Sequence, residues 1–225
     1  MNVLLVAATP FEIAPTRQFL EKNFGRSDAS FKNGSVSVDL LETGPGLLAT
    51  ATHLTRALLR QPFDLVLHAG VAGSLVSDFP PGSVVQVVSE TLGDFGLTEA
   101  DGAFVPLFDL DWMDADAPPF RRGQLDNPSG GAFNFLPRAR GLTVNRTSGD
   151  AVGIAALRHR FPHAQVESME GAAVFYVCGV LDQQFLAVRS ISNWVEPRDR
   201  AGWKLEVAIE QLNGVVIELL GQLAE

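Results

Sequence analysis

Apolar and polar positions follow two rhythms along this chain, and each change of rhythm marks an element. Residues 2–8 form an apolar run after Met1 that stops at Thr9-Pro10. Such a run predicts a strand buried on both faces. Phe11, Ile13, Phe19 and Leu20 then recur at helical spacing, with Pro15 placed in the first turn. Val36, Val38 and Leu40 alternate after Asn33-Gly34, which predicts a hairpin over residues 31–41. Thr43-Gly44-Pro45-Gly46 punctuates the chain, and a helix is expected over 47–59. A second buried strand over 64–70 runs into Val71-Ala72-Gly73-Ser74, read as a loop where backbone approaches a ligand. Residues 82–89 predict another strand, and 141–144 a further one before a helix that opens at Ser148-Gly149-Asp150. Glu167-Ser168-Met169-Glu170-Gly171-Ala172-Ala173 reads as the acid-rich start of an apolar helix. Residues 185–190 predict a strand leading into Ile191-Ser192-Asn193-Trp194. A long amphipathic helix closes the chain over 203–223.

Alternating strands and helices predict the α/β class, with a central mixed sheet covered by helices on both faces. No linker or internal repeat interrupts the pattern, so residues 1–225 read as a single domain. Between 91 and 137 the periodicity fades, while Phe95, Phe104, Phe108, Trp112, Phe120, Phe133 and Phe135 crowd in. These aromatics either anchor the segment or line a pocket or a subunit interface.

Composition removes several classes. The net charge of −9 and pI of about 4.9 argue against nucleic acid as a partner. No uninterrupted apolar run approaches ~18 residues, so no membrane association is expected. The N-terminal run lacks a basic flank and reads as a strand, not a signal peptide. With Cys178 alone, no internal disulfide is available and a cytoplasmic location is expected.

Three polar features remain, each following an apolar strand: Glu12, the pair Met169 and Glu170, and Asn193. Ligands of open α/β sheets collect at such strand ends. No dinucleotide glycine fingerprint or Walker lysine is present, and His159 and His163 read as surface turn residues. The expected site therefore needs no metal and no cofactor.

These motifs resemble a known superfamily. Glu12, Thr43-Gly44-Pro45-Gly46, Ala69-Gly70-Val71-Ala72-Gly73, Ser148-Gly149-Asp150, residues 158–162, residues 167–173 and Arg189-Ser190-Ile191-Ser192-Asn193 resemble the purine nucleoside phosphorylases and nucleosidases. The likeness is to the methylthioadenosine/S-adenosylhomocysteine nucleosidase-like branch, and residues 191–200 are similar to the futalosine hydrolases of menaquinone biosynthesis. The resemblance implies a three-layer nucleoside phosphorylase-like sandwich, a purine nucleoside as small-molecule partner, and a homo-oligomer. It also implies roles. Glu12 would hold and activate water, and Met169 and Glu170 would contact the ribose. Asn193 would hold the base, and Val152 and Gly153 would flank it. Val71 stands where many relatives carry a hydroxyl. Glu167 is left as an ordinary helix-start acid.

Two departures carry information. Asn193 replaces an expected Asp, and its donor NH₂ suits the O6 and N7 acceptors of a 6-oxopurine better than the amine of adenine. The glycine and arginine of a phosphate site are missing near Glu12, which favours hydrolysis over phosphorolysis. The reaction implied is cleavage of futalosine to hypoxanthine and dehypoxanthine futalosine. The alternatives are a nucleosidase for methylthioadenosine, S-adenosylhomocysteine or aminodeoxyfutalosine, and a non-catalytic nucleoside-binding domain. Arg121, Arg122, Arg198, Arg200 and Lys204 are candidate partners for a carboxylate on the 5′ side.

Overall fold

The computed structural model describes residues 1–27, 29–110, 112–128 and 135–224. Phe133 and the Arg200 side chain, named above, lie outside the described residues.

β1 (Asn2–Ala7) is the buried strand expected from the first apolar run. Period-2 geometry sends its side chains to opposite faces. Val3, Leu5 and Ala7 pack with Leu20 of α1 (Ala14–Asn23) and with Leu212, Val216 and Leu220 of α5 (Leu205–Ala224). Leu4 and Val6 belong to the opposite core, with Leu54 of α2 (Leu47–Arg60) and Val174, Phe175 and Val177 of α4 (Gly171–Val180). Helices thus cover both faces, giving the expected three layers.

The hairpin at one edge comprises β2 (Gly25–Ser27), β3 (Ser30–Asn33) and β4 (Val36–Glu42), and β1 lies between β4 and β5 (Leu65–Ser74) in parallel. Beyond β5 the sheet closes on itself. The ring runs through β12 (Val166–Ser168), β11 (Arg138–Thr143), β6 (Val84–Leu92) and β13 (Phe185–Trp194), which pairs back to β5. A third small core of Leu75, Leu142, Val144, Ile154, Leu157 and Val195 seats α3 (Ala151–Arg160) against this ring.

Four expectations change. Residues 71–74 are strand, not loop, because β13 pairs with β5 from Phe185↔Val66 to Trp194↔Ser74. The glycines there serve close approach. A Cβ on Gly70 would sit 3.2 Å from Glu12 Oε1, and one on Gly73 2.8 Å from Val195 Cγ2. Asn193 accordingly lies within β13, not after it. Glu167 and Ser168 belong to β12, and α4 starts only at Gly171, with Glu170 as its N-cap. Residues 91–137 contain β7 (Gly96–Thr98), β8 (Phe104–Pro106), a 3-10 turn at Leu107–Leu110, β9 (Phe120–Arg121) and β10 (Gln124–Asp126). Such short strands leave no periodicity to read. α5 is long and apolar enough to cross a membrane by composition, yet Ala208, Leu212, Val216 and Leu220 are buried against the sheet, as in a core helix.

Candidate active site

Glu12 occupies the turn between β1 and α1 and is 8% exposed. Its Oε2 accepts from Thr9 N at 2.9 Å and Thr9 Oγ1 at 3.0 Å, and its Oε1 from Val71 N at 3.2 Å. The turn is also held from behind. Asn213 of α5 donates through Nδ2 to Glu12 O at 2.8 Å, and its Oδ1 accepts from Thr16 N at 3.0 Å. One strand end and one helix thereby fix both ends of the Glu12 residue.

Glu170 meets this turn from the α4 side. Its Oε1 accepts from Gly46 N at 2.8 Å, where Gly46 has φ of 90° at the start of α2. That positive φ is open to glycine and turns the amide toward the carboxylate. Burial pushes the Glu170 carboxyl above its ordinary range, the Gly46 amide and the Arg189 guanidinium oppose this, and the Glu12 charge adds to it. The two acids therefore sense each other across one site.

Arg189 of β13 is a buried cation near this site: its charge acts on Glu170, and a Cβ on Gly70 would lie 3.5 Å from its Nη1 and 3.2 Å from Glu12 Oε1. Its Nη1 donates to Val188 O at 3.0 Å, and its Nη2 lies 3.0 Å from His68 Nε2. Burial first, then the Arg189 charge, pushes His68 well below its ordinary pKa, so the imidazole is neutral. Glu90 of β6 completes the cluster. It is enclosed near Gly141 and Gly171, and its Oε2 accepts from Thr143 Oγ1 at 2.8 Å. Burial raises its pKa to about 7 against the opposing pull of Arg189 and Thr143.

Asn193 lies farther along the same sheet edge, paired in register with Gly73, two residues beyond Val71. Its Oδ1 accepts from Ser192 Oγ at 2.7 Å and its Nδ2 donates to Trp194 O at 2.8 Å. One N–H of the amide remains for a ligand. The cavity at Asn193 is lined by Gly73, Ser148, Glu167, Arg198 and Trp203 among others. Trp203 and Arg198 also line a second, larger opening with Phe11, Lys204, Leu205 and Val207.

The structure brings Glu12, Val71 and Glu170 together and places Asn193 opposite Gly73, on a cavity whose lining includes none of those three. Met169 is half-buried directly before Glu170. Val152 and Gly153 are not brought in: Val152 is 81% exposed in the first turn of α3, and Gly153 N donates to Asp150 Oδ1. Among the cationic candidates, Arg198 and Lys204 face the larger opening, whereas Arg121 and Arg122 are exposed at β9 and the turn after it. Sequence reasoning missed Glu167, Arg189, Glu90 and Asn213 as parts of the site. Arg189 did leave a signal, since one cation within an apolar buried strand requires partners. Burial pushes the Cys178 thiol up to about 12, which makes it a poor nucleophile. Among the described residues, no cluster of three His, Cys, Asp or Glu side chains is placed to hold a metal.

Known proteins resemble this chain in sequence and in fold. The chain is 36% identical over 187 residues to a futalosine hydrolase of Streptomyces coelicolor, covering 80% of this chain and 77% of that protein. It is 31% identical over 185 residues to a futalosine hydrolase of Thermus thermophilus, covering 81% and 80%. No family model matches the chain. Among solved structures, the 5′-methylthioadenosine/S-adenosylhomocysteine nucleosidase of Neisseria meningitidis, in complex with methylthio-immucillin-A, superposes with a TM-score of 0.76 at 18% identity, covering 97% of this chain and 98% of that one. The corresponding enzyme from S. pneumoniae, with a transition-state inhibitor, gives 0.77 at 18% identity, covering 98% of each chain. The fold is that of the nucleosidases, and by its sequence the chain belongs to the futalosine hydrolase family.

Proposed function

We propose that this chain hydrolyses the N-ribosidic bond of futalosine, releasing hypoxanthine and dehypoxanthine futalosine in menaquinone biosynthesis. The observation that carries the reading is Glu12, a buried carboxylate fixed by three donors beside Glu170, in a member of this family. Glu12 orients a water and takes its proton as the water oxygen attacks C1′ of the ribose. The electrons of the bond between C1′ and the purine nitrogen move into the base. The sugar becomes oxocarbenium-like, and nearby carboxylates stabilise that positive charge. Glu170 accepts hydrogen bonds from ribose hydroxyls, each worth about 1.5–3 kcal/mol to a charged acceptor. Asn193 turns its remaining N–H to the departing base, whose negative charge spreads onto O6; the released anion takes a proton from water, and Glu12 returns its proton to solvent. An anionic Glu12 repels phosphate and accommodates water, so hydrolysis is favoured.

The test is product analysis on futalosine with and without inorganic phosphate. Equal release of hypoxanthine in both is expected, and a strict phosphate requirement overturns the reading. Faster cleavage of aminodeoxyfutalosine would move the assignment to a 6-aminopurine nucleosidase.

A further inference from the structure

Glu167 occupies a place in the cavity that the roles above leave unexplained. It pairs in register with Gly73 on one side of β5, and Asn193 pairs with the same Gly73 on the other. Glu167, Gly73 and Asn193 therefore form one row across three strands. Residues in such a row point to the same face of a sheet. Strand spacing sets the two outer Cα atoms about 10 Å apart. The middle position has no side chain, and a Cβ there would lie 3.3 Å from Asn193 Nδ2. The row thus places an amide at one end and a carboxyl at the other of one cavity, with Gly73 between them and Val195 Cγ2 packed close over it.

The carboxyl is 6% exposed and accepts from Ser148 N at 3.2 Å and Ser148 Oγ at 2.9 Å, one bond to each oxygen. Each oxygen keeps a further lone pair, and a carboxylate can only accept. Burial raises its pKa while both Ser148 bonds oppose that. The segment before α3 reaches this cavity through Thr147 and Ser148, and Gly153 lines an adjoining one with the same two residues. A planar base held by Asn193 at its O6/N7 edge presents its N1 edge to the other end of the row. There a 6-oxopurine carries N1–H, a donor, whereas a 6-aminopurine carries a bare acceptor nitrogen.

We infer that Glu167 is a specificity-determining residue that accepts N1–H of a 6-oxopurine, opposite Asn193 in the same cavity. The inference rests on the nucleosidase reading above and deepens it by naming a second residue that selects the base.

Two measurements test it. The first uses the wild-type protein and calorimetric binding of hypoxanthine against 1-methylhypoxanthine, which lacks the N1 donor. Roughly 10–100-fold weaker binding of the methylated base is expected for one lost bond to a charged acceptor. Equal binding overturns the inference. The second compares kcat/KM for futalosine and aminodeoxyfutalosine in wild type and Glu167→Gln, whose amide can offer a donor to N1 of a 6-aminopurine. The ratio is expected to shift toward the 6-amino substrate by about 10-fold or more. A ratio unchanged while both rates fall together would reduce Glu167 to a strut for Ser148 and overturn the inference. If wild type binds hypoxanthine selectively yet releases none from futalosine, the substrate reading fails and the assignment of Glu167 stands.

Discussion

Glu12 shows how one side chain is prepared by groups that do no chemistry. Thr9 donates twice to Oε2 and Val71 once to Oε1, which leaves the second acceptor position of Oε1 to water. Glu12→Gln would put an amide NH₂ against one of those donors and remove the base. A fall of about 10²–10⁴-fold in kcat is expected, with hypoxanthine affinity held within a few-fold, read by steady-state rates and calorimetry. Glu90 makes a different prediction. In the unfolded chain its carboxyl loses its proton near 4.5, and in the folded protein only at about 7. Between those values the folded state holds the extra proton, so stability is greatest at the acid end and falls as pH rises through 7. The loss is on the order of 3 kcal/mol. Thermal unfolding of wild type is expected to weaken from about pH 5 to about pH 8, and that of Glu90→Gln to change less, because one raised carboxyl is gone. Glu12, Glu170 and Asn193 were legible because a family pattern marks them. Glu90 was not: the strand was expected to end one residue earlier, and a lone acid at a strand end looks solvated.

At the level of elements, the least visible contribution comes from α5. Asn213 is one amide on an otherwise apolar face, and sequence offers no reason to separate it from a tolerated polar substitution. In the fold it satisfies Thr16, Glu12 and Ile209 at once. Asn213→Ala would strand buried groups that each cost about 1–3 kcal/mol when unpaired. The expected outcome is a loss of roughly 3 kcal/mol or more in urea unfolding, together with a kcat that falls more than KM rises. Wild-type kcat would refute its role in positioning Glu12. The boundary between β12 and α4 was misread for a related reason. A strand of three residues cannot display alternation, so Glu167 was absorbed into the helix that follows. Only the pairing of β12 with β5 reveals which way that side chain lies. By contrast, β1, the β3–β4 hairpin and α2 emerged close to their expected bounds, because apolar period and turn residues agree there.

For the whole molecule, the layered α/β architecture was legible from alternation alone, while the ring of five strands was not, since closure depends on β13 reaching both β5 and β6. The ring removes free edges from the part of the sheet that carries Glu167 and Asn193. Elsewhere the surface keeps apolar groups in the open: Leu48 is 87% exposed on α2, and Tyr176 and Val180 are exposed on α4. If the chain is a homo-oligomer, as the resemblance implies, sedimentation equilibrium will give a multiple of 24.2 kDa. A Leu48→Lys variant would then be expected to shift that mass downward. The tether from Asn213 to Glu12 has one more consequence, in the order of synthesis. Glu12 is made first, and Asn213, which anchors its carbonyl, 201 positions later. A nascent chain that has already made Gly73, Glu167 and Asn193 still lacks the grip on Glu12 until α5 docks. Hydrolysis should therefore begin only once α5 has been made and has docked, so that shorter products stay chemically silent.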